Sequence, residues 1–321
     1  MITEGILNIN KPQNMTSHDV VAVVRRCLGI KRVGHTGTLD PMASGVLPVC
    51  IGKSTRIIEY LDMDIKKYRC TMTLGIETDT EDIWGTVLSE NSTEGITEEK
   101  VREALSDFNG MIEQKPPMYS ALKVNGRKLY EYAREGREVE VKTRKVFIKA
   151  LDIENISLDG DVKTVTFSVE CTKGTYIRSI CRDAGKALGC GAALSALTRT
   201  ASGAFDIEHS ITIDELKTMT AGEIEECLIP TDYPLDKFGE AVAPEEEALK
   251  FANGWHLSPG DCKVNKRPRF ESEDFYIPIR DDYRKAYNVY GDINGVKTFM
   301  GVAFYSDTYK KLVADKVFYS R

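Results

Sequence analysis

Apolar residues recur along the chain with two spacings, which predict a mixture of strands and helices. Alternating apolar and polar residues predict strands at residues 68–74 and 164–171, and a short apolar segment predicts another at residues 6–10. Apolar residues three or four positions apart predict helices at residues 17–28, 97–108 and 177–188. The first part of the chain is therefore predicted to fold from both kinds of element.

The ends of the predicted helices carry residues that commonly begin or end helices. Thr16 or Ser17 is suited to cap the first helix, and Thr97 to begin the second. Gly29 and Gly189 follow the first and third helices, where glycine commonly ends a helix. The helix boundaries are thus indicated by two independent features of the sequence.

The pattern changes late in the chain, where turn residues become frequent. A capping box predicts a helix that begins after Thr212, and another short helix is predicted between Pro244 and Asn253. Short alternating stretches follow at residues 275–279, 286–290, 296–304 and 312–319, split by Gly291-Asp292 and Asn294-Gly295. We therefore predict a larger domain at residues 1–235 and a small β-rich module at residues 240–321.

The composition is that of an ordinary globular protein. The chain has 321 residues, of which 42% are hydrophobic and 29% are charged. No apolar segment approaches the ~20 residues that a membrane helix needs, so no membrane partner is expected. The first residues, Met1 to Glu4, do not resemble a secretory signal, and we expect the protein to stay in the cytoplasm.

The cysteines and histidines do not have the spacing of a metal site. The eight cysteines include no Cys-x-x-Cys pair, and the four histidines form no close pair or His-Glu-x-x-His motif. Several cysteines lie in apolar segments, as buried thiols do in a reducing compartment. The acidic segment 77–82 lacks the spacing of an EF-hand. We therefore predict no bound metal.

Charge is distributed unevenly along the chain. A net charge of −6 argues mildly against nucleic-acid binding. However, residues 1–56 contain seven Lys or Arg and three Asp or Glu, whereas residues 77–107 contain two and ten. Residues 120–149 contain nine Lys or Arg and four Asp or Glu. Residues 203–236 contain one Lys or Arg and nine Asp or Glu. One basic surface could therefore face a polyanion, or these could simply be solvated faces, and charge alone leaves both interpretations open.

Residues 34–48 place one carboxylate in an unusual setting. Three glycines and two prolines surround Asp40, and Pro41 follows it directly. Because glycine lets the backbone turn sharply and proline fixes it, Asp40 can be a reacting group on a rigid loop. It can equally be a turn residue that bonds its own backbone. Gly52-Lys53-Ser54 nearby is not a P-loop, since that motif needs a glycine where residue 47 is leucine.

Residues 34–56, GHTGTLDPMASGVLPVCIGKSTR, closely resemble the signature segment of the TruB family of tRNA pseudouridine synthases. Other similar segments occur at residues 11–12, 114–123, 126–134, 173–180 and 197–199. The resemblance covers most of the larger predicted domain. It implies an α+β fold with a pseudouridine-synthase-like mixed, largely antiparallel sheet, flanking helices and a small C-terminal β-rich, PUA-like module that binds RNA.

The resemblance also implies a reaction and a partner. The enzyme would isomerise uridine to pseudouridine at position 55, in the T loop of tRNA. Chemistry on a base requires that the base leave the stack, so a flipped uracil in a pocket is expected. The N1 glycosidic bond would break and re-form through C5 without redox change or phosphoryl transfer, so no cofactor is expected. The tRNA T arm is the expected partner, and a monomer the expected state.

The catalytic group implied by the resemblance consists of Asp40, Tyr176 and Arg178. Asp40 acts either as a nucleophile or in forming a glycal-like intermediate, and the sequence leaves both routes open. Arg178 pairs with the carboxylate, for which a guanidinium fork is well suited. Tyr176 lies against the base and is the candidate for removing the C5 proton.

Other residues are implied to bind the RNA. Tyr68 is expected to stack on the flipped base, because an aromatic plate holds an extruded base in place. Leu197 is expected near the uracil, His35 at the loop that changes as the uridine leaves, and Lys11 near the active site. The candidates for contacts with the RNA backbone are Arg32, Lys53, Arg56, Lys123, Arg127 and Lys128.

Three alternatives belong to other functional classes. A non-catalytic RNA-binding or tRNA-folding protein on the same scaffold would not need the Asp40 carboxylate. A glycoside hydrolase would need a second placed carboxylate, and the signature segment contains none. An RNA-guided relative in a larger particle is less expected, because the chain starts close to its first strand without a basic tail.

Overall fold

Strands and helices are mixed along the chain in the computed structural model, which describes residues 2–63, 65–270 and 280–319. The strands are β1 (Gly5–Lys11), β2 (Val33–His35), β3 (Ser44–Ile51), β4 (Lys66–Leu74), β5 (Ile76–Thr78), β6 (Val87–Glu90), β7 (Gly110–Gln114), β8 (Lys123–Val124), β9 (Arg127–Lys128), β10 (Arg144–Ser157), β11 (Thr164–Cys171), β12 (Ala192–Ser202), β13 (Phe205–Asp206), β14 (Ile211–Thr212), β15 (Gly239–Ala243), β16 (Lys263–Lys266), β17 (Ala286–Ile293), β18 (Val296–Ser306) and β19 (Lys311–Val317). The α-helices are α1 (Ser17–Leu28), α2 (Glu98–Ser106), α3 (Leu129–Arg134), α4 (Ile177–Leu188), α5 (Ile213–Thr218), α6 (Ala221–Glu226) and α7 (Glu245–Ala252). Segments of 3₁₀ helix occupy Gly52–Met63, Tyr233–Leu235, Pro259–Asp261 and Asp281–Lys285.

Ten of the strands in the described ranges form one sheet. Its main order is β14-β1-β3-β12-β4-β11-β10-β7, with β2 beside β3 and β13 beside β12. The pairs β1/β14 and β3/β12 are parallel. The other neighbours are antiparallel. The predicted mixed, largely antiparallel sheet is therefore confirmed.

The parallel contact between β3 and β12 depends on a glycine close to the candidate catalytic loop. The register pairs Gly45 with Arg199. A Cβ on Gly45 would lie 2.2 Å from the carbonyl oxygen of Arg199, and the φ angle of +103° is one that other residues rarely adopt. Glycine thus lets β3 leave the Asp40 loop and pair directly with β12, which carries Leu197 and Arg199 toward the loop.

Helices cover the sheet and build two hydrophobic cores beside it. Leu7 of β1 and Leu47 of β3 pack in one core with Val20 of α1 and with α5 and α6. Further along the sheet, Phe167 of β11 and Ile180 of α4 belong to a second core, which also contains residues of α2. The candidate catalytic loop leads into β3 and lies where the part of the sheet over the first core meets the part over the second.

The helix ends agree closely with the sequence. Thr16 and Thr97 cap α1 and α2, and Gly29 and Gly189 end α1 and α4 with left-handed φ angles of +66° and +75°. One helix, α2, is shorter than predicted. It ends before Phe108, whose ring packs against the core from the following turn. No helix in the described part of the chain has the length and apolar composition needed to span a membrane.

The described C-terminal strands form a second sheet with the order β16-β15-β17-β18-β19. This confirms the predicted β-rich C-terminal region. Asn294 and Gly295, with φ angles of +52° and +79°, form the tight turn between β17 and β18. Tyr60, in the 3₁₀ segment after β3, joins the two parts by packing edge-on against the rings of Phe238, Tyr283 and Phe304. The strand predicted at residues 275–279 lies outside the described residues.

The strand break predicted at Gly291-Asp292 is wrong. Strand β17 continues through both residues to Ile293. A Cβ on Gly291 would lie 2.5 Å from the Cβ of Ala248 in α7. The glycine is therefore explained by close approach of a helix to the strand, a tertiary contact that the local sequence does not reveal.

Candidate active site

Asp40 lies on the loop between β2 and β3, and its backbone is fixed on both sides. The buried hydroxyl of Ser17 accepts a hydrogen bond from the Leu39 amide at 2.9 Å and lies 3.2 Å from the Leu39 carbonyl oxygen. The Ala43 amide donates to the Asp40 carbonyl at 3.1 Å and closes a turn. The Asp40 side chain is 45% exposed. Its carboxylate is thus held in place and remains open to a ligand.

Lys11 fixes the same loop through its ammonium group. The group donates to the carbonyl oxygens of Pro12, Met15 and Pro41 at 2.8, 2.6 and 3.1 Å. Lys11 is fully buried, and this burial lowers its pKa to about 8. An ammonium group has three donors, and these three carbonyls can use all of them. The geometry therefore favours a positioning role for Lys11 over the substrate contact that the sequence predicts.

Arg178 lies in the first turn of α4 and reaches the Asp40 carboxylate. Its Nε is 3.0 Å from Asp40 Oδ2. Nη1 donates to the carbonyl oxygen of Thr80 at 2.9 Å, and Nη2 donates to that of Tyr119 at 3.0 Å. Nη1 also lies 3.8 Å from Asp82 Oδ2. Because Arg178 is only 5% exposed and each nitrogen has a partner, its guanidinium is held in one orientation. It fixes the orientation of the Asp40 carboxylate in turn.

The loop between β5 and β6 supports the pairing of Arg178 with Asp40. The sequence does not predict this contribution of the loop. Glu81 accepts a hydrogen bond from Ser179 Oγ at 2.8 Å and pairs with Arg182, so the loop is tied to α4. The φ angle of Glu81 is +64°, which is uncommon for a residue with a side chain. In the sequence, this loop is visible only as the acidic segment 77–82, whose spacing fits no calcium site. Nothing in that segment indicates that it contacts α4.

Two cavities meet at Asp40. One has a volume of about 400 Å³ and is lined by Tyr68 and Tyr176; we call it the Tyr68 cavity. The other has a volume of about 450 Å³ and is lined by Trp84; we call it the Trp84 cavity. Both are also lined by Asp40, Arg178 and Leu197. Their volumes are in the range of small-ligand sites.

The Tyr68 cavity has an aromatic wall supported by a buried arginine. Tyr68 lies on β4 and is partly buried, which raises its pKa to about 12, so its phenol is neutral near pH 7. Arg199 is 1% exposed and donates from Nε to the Val46 carbonyl at 2.7 Å and from Nη2 to the Gly37 carbonyl at 3.1 Å. Arg199 therefore links β12 to the glycine-containing loop that precedes Asp40. The sequence resemblance covers Arg199 but assigns it no role.

Tyr176 is held by Gln114, whose role the sequence does not reveal. The buried Gln114 donates from Nε2 to the Tyr176 carbonyl at 3.0 Å and accepts from the Tyr176 amide at 2.7 Å. This pair of bonds fixes the backbone at the residue before α4. The side chain of Tyr176 lines the Tyr68 cavity. Gln114 therefore positions Tyr176 against whatever occupies that cavity.

Leu197 and His35 differ in their relation to the cavities. Leu197, on β12, is 7% exposed and lines both. His35, at the end of β2, is absent from both linings and packs edge-on against His18 with a ring-centroid distance of 5.5 Å. Its Nδ1 is buried with no hydrogen-bond partner among the described residues. Burial and the neighbouring His18 lower the pKa of His35 to about 4.

His35 should make the fold sensitive to mild acid. Its pKa is about 4 in the folded chain against an ordinary value of 6.5, so the unfolded chain binds more protons between these values. The stability that His35 contributes is therefore fully present above pH 6.5 and is lost as the pH falls toward 4. Urea unfolding should show a wild-type loss of up to about 1.4 kcal/mol per pH unit in this window relative to His35→Phe.

The control for this measurement is His256→Gln, which replaces an exposed histidine outside the site. It should keep the loss of stability that distinguishes wild type from His35→Phe in this window. The prediction fails if His35→Phe and wild type lose stability in parallel across the window.

The candidates for RNA-backbone contact divide between two places. Lys53 donates to the Phe318 carbonyl at 2.8 Å, and Arg56 donates to the Val317 carbonyl at 2.6 Å. These two residues hold the C-terminal end of β19 against the first part of the chain, a role that the sequence did not predict. Arg32, nearby, is exposed and donates to Thr55 Oγ1 at 2.7 Å.

The other three candidates lie on the segment that contains β8, β9 and α3. Lys123 is exposed, and Arg127 forms an ion pair with Glu135 at 2.5 Å. Lys128 lies over the ring of Tyr130, 5.4 Å from its centroid, and Tyr130 lines the Trp84 cavity. This segment therefore brings positive charge to the border of the site.

The arrangement is suited to chemistry at a sugar carbon that carries a base. A carboxylate fixed by a guanidinium can attack such a carbon or assist departure of the base, while an aromatic-lined cavity holds the base. Within residues 2–63, 65–270 and 280–319, no cluster of three or more His, Cys, Asp or Glu side chains is arranged to hold a metal ion.

Comparison with known sequences gives matches along most of the chain. The model of the family described as "TruB family pseudouridylate synthase (N terminal domain)" matches residues 25–177. The model described as "tRNA pseudouridylate synthase B C-terminal domain" matches residues 178–236. The tRNA pseudouridine synthase B of Alkaliphilus oremlandii is 49% identical over 250 residues, which cover 78% of this chain and 81% of that protein. The protein of the same name from Clostridium kluyveri is 43% identical over 312 residues, covering 97% of this chain and 98% of that protein.

A solved structure with a similar fold is a chain of the archaeal box H/ACA sRNP Nop10-Cbf5 complex. The TM-score is 0.68 at 23% sequence identity, and the alignment covers 98% of this chain and 84% of that chain. Similarity at this level of identity shows the fold. It extends over both sheets and confirms the predicted fold class.

Proposed function

The chain belongs to the TruB family of pseudouridine synthases and isomerises uridine to pseudouridine in tRNA, and we propose that its target is the uridine at position 55 in the T loop. The observation that supports a catalytic site is the ion pair between Asp40 and Arg178 at the junction of the two cavities. A protein that only binds RNA has no need of a carboxylate held in this way.

The proposed reaction places the flipped uracil in the Tyr68 cavity, against Tyr68, Tyr176 and Leu197. Asp40 acts at the sugar, either as a nucleophile at C1′ or by assisting a glycal-like intermediate. The bond from C1′ to N1 breaks, the uracil rotates, and a bond from C1′ to C5 forms. C5 loses a proton, for which Tyr176 is the proposed acceptor, and N1 gains one. The atoms therefore balance without a cofactor.

Binding of the RNA is proposed to involve two regions outside the cavities. Lys123, Arg127 and Lys128 lie on the same segment as Tyr130, which lines the Trp84 cavity, and they would contact backbone phosphates. The module at residues 240–321 would bind RNA as a PUA-like unit beside a catalytic domain at residues 1–235. We further propose that the enzyme works as a monomer in the cytoplasm.

Tritium release from C5 of uridine tests the proposed target. A T-arm stem-loop RNA labelled with tritium only at the position-55 uridine should release label, because the C5 proton is lost in the reaction. The matched RNA with label at another loop uridine should not. Release from the second RNA alone would show that the position is wrong, and tight binding without release from either would favour the tRNA-folding alternative.

A further inference from the structure

Trp84 occupies a rigid position at the edge of the site, yet the proposed reaction gives it no role. It lies between β5 and β6, lines the Trp84 cavity and is 41% exposed. Its amide donates to Asp82 Oδ1 at 3.2 Å, and the neighbouring Ile83 amide donates to the Leu194 carbonyl of β12 at 2.9 Å. The next residue, Gly85, leaves no space for a Cβ, which would lie 2.2 Å from Thr80 Oγ1. The indole is thus presented on a fixed loop.

Other aromatic side chains surround the same cavity. Tyr119 lines it and is fixed by its hydroxyl, which donates to Asp79 Oδ2 at 3.2 Å. Tyr130 lines it from α3, with the guanidinium of Arg134 5.3 Å from the ring centroid. The uracil in the proposed reaction occupies the neighbouring Tyr68 cavity. The Trp84 cavity, of about 450 Å³, therefore has room and aromatic walls for a second planar group.

The charges around the cavity decide which part of an RNA can lie on Trp84. The loop before it carries Glu77, Asp79, Glu81 and Asp82. Glu81 pairs with Arg182 and Asp82 lies 3.8 Å from Arg178, so the negative charge that repels phosphate comes from Glu77 and Asp79. Arg134 is exposed and lines the same cavity from another segment. A nucleotide can therefore enter with its uncharged base toward Trp84 and its phosphate toward Arg134. A peptide or lipid headgroup with a negative charge would gain nothing from the indole side.

We propose that Trp84 stacks on an unpaired nucleobase of the substrate RNA next to the flipped uridine, with the phosphate of that nucleotide near Arg134. This contact rests on the proposed function and adds a second base-binding site to it. An indole face suits this role because stacking on an aromatic side chain accepts any base. The contact fixes the RNA beside Asp40 without touching the reacting bond, so it should affect binding more than the chemical step.

The fluorescence of Trp84 reports stacking directly. The chain has two tryptophans, and Trp255→Phe leaves Trp84 as the single indole. In a Trp255→Phe protein that also carries Asp40→Asn to prevent turnover, T-arm stem-loop RNA should quench the emission with saturation. T-arm RNAs with one abasic nucleotide at successive loop positions should then identify one position, beside the target, whose loss removes the quenching.

Kinetics separates stacking from simple apolar contact. Trp84→Ala and Trp84→Leu should each raise KM for the T-arm RNA about tenfold with little change in kcat, because neither offers an aromatic face. Trp84→Phe should stay within about threefold of wild type. Ile83→Ala is the matched control, since Ile83 is the adjacent residue, is 40% exposed and is absent from the cavity lining.

The outcomes distinguish this inference from the proposed function. The abasic RNA that loses quenching should raise KM for wild type but not for Trp84→Ala. Wild-type turnover with no quenching and unchanged KM for Trp84→Ala would overturn the stacking and leave the proposed function in place. A Trp84→Leu protein equal to wild type would also overturn it. A wild-type protein that neither binds nor converts T-arm RNA would overturn both.

Discussion

Asp40→Asn is expected to lower the rate of tritium release by at least about a thousandfold, as the loss of a reacting carboxylate does in other enzymes. The amide has almost the same shape as the carboxylate, so the loop and both cavities should persist. It carries no negative charge, however, and can neither attack C1′ nor stabilise positive charge there. Affinity for T-arm RNA, measured separately by filter binding, should stay within about threefold, because phosphate contacts supply a large share of nucleic-acid binding free energy and this substitution removes none of them.

Two further variants sharpen the result for Asp40. Asp40→Glu keeps the charge but moves it by one methylene, and it should also lose most activity, since Arg178 fixes the carboxylate at 3.0 Å. Asp214→Asn removes a carboxylate from a side chain that is 91% exposed on α5 and should retain wild-type rates. Substantial release by Asp40→Asn would show that another group does the chemistry.

The catalytic group was proposed from the resemblance of residues 34–56 and 173–180 to the TruB family, because local composition alone left Asp40 open between a reacting group and a turn residue. Asp40 stands between glycines and prolines, and Arg178 and Tyr176 stand where a strand gives way to a helix. Local rules also gave the helix ends, since a capping box or a terminal glycine acts within a few residues. These features depend only on neighbours in the chain.

The supporting contacts could not be predicted in the same way, because they join distant segments. Gln114 binds the backbone of Tyr176 across 62 positions, and Arg178 binds the Thr80 carbonyl across 98. Lys53 is a candidate for phosphate contact in the sequence, and in the structure its ammonium group donates to a carbonyl 265 positions away. A hydrogen bond to a backbone carbonyl places little demand on the identity of the partner, so the sequence of the partner segment carries no trace of it.

Strands buried on both faces were also difficult to predict. In β3 every residue after Ser44 is buried, so its apolar run does not alternate. Residues 44–51 were recognisable only as part of the signature segment, although β3 occupies the centre of the sheet between β1 and β12. Alternation predicted β4 and β11 correctly because polar side chains interrupt their buried positions.

Arg178→Lys is expected to lower kcat about a hundredfold and the free energy of unfolding by about 2 kcal/mol, with KM for T-arm RNA nearly unchanged. Lysine keeps the positive charge but has a single nitrogen. It cannot reach Asp40 and the carbonyl oxygens of Thr80 and Tyr119 at once, as the three guanidinium nitrogens do. The Asp40 carboxylate would then lose its fixed orientation, and buried carbonyls would lose their donors.

Arg182→Lys is the matched control, because it makes the same substitution one turn later on α4. Arg182 pairs with Glu81 and Asp183 and is 28% exposed, but it lies outside the linings of both cavities. Its replacement should cost less than about 1 kcal/mol of stability and leave kcat within about twofold of wild type. Equal losses of kcat in the two variants would mean that Arg178 acts by holding α4 to the loop between β5 and β6. A selective loss in Arg178→Lys would tie the effect to the orientation of Asp40.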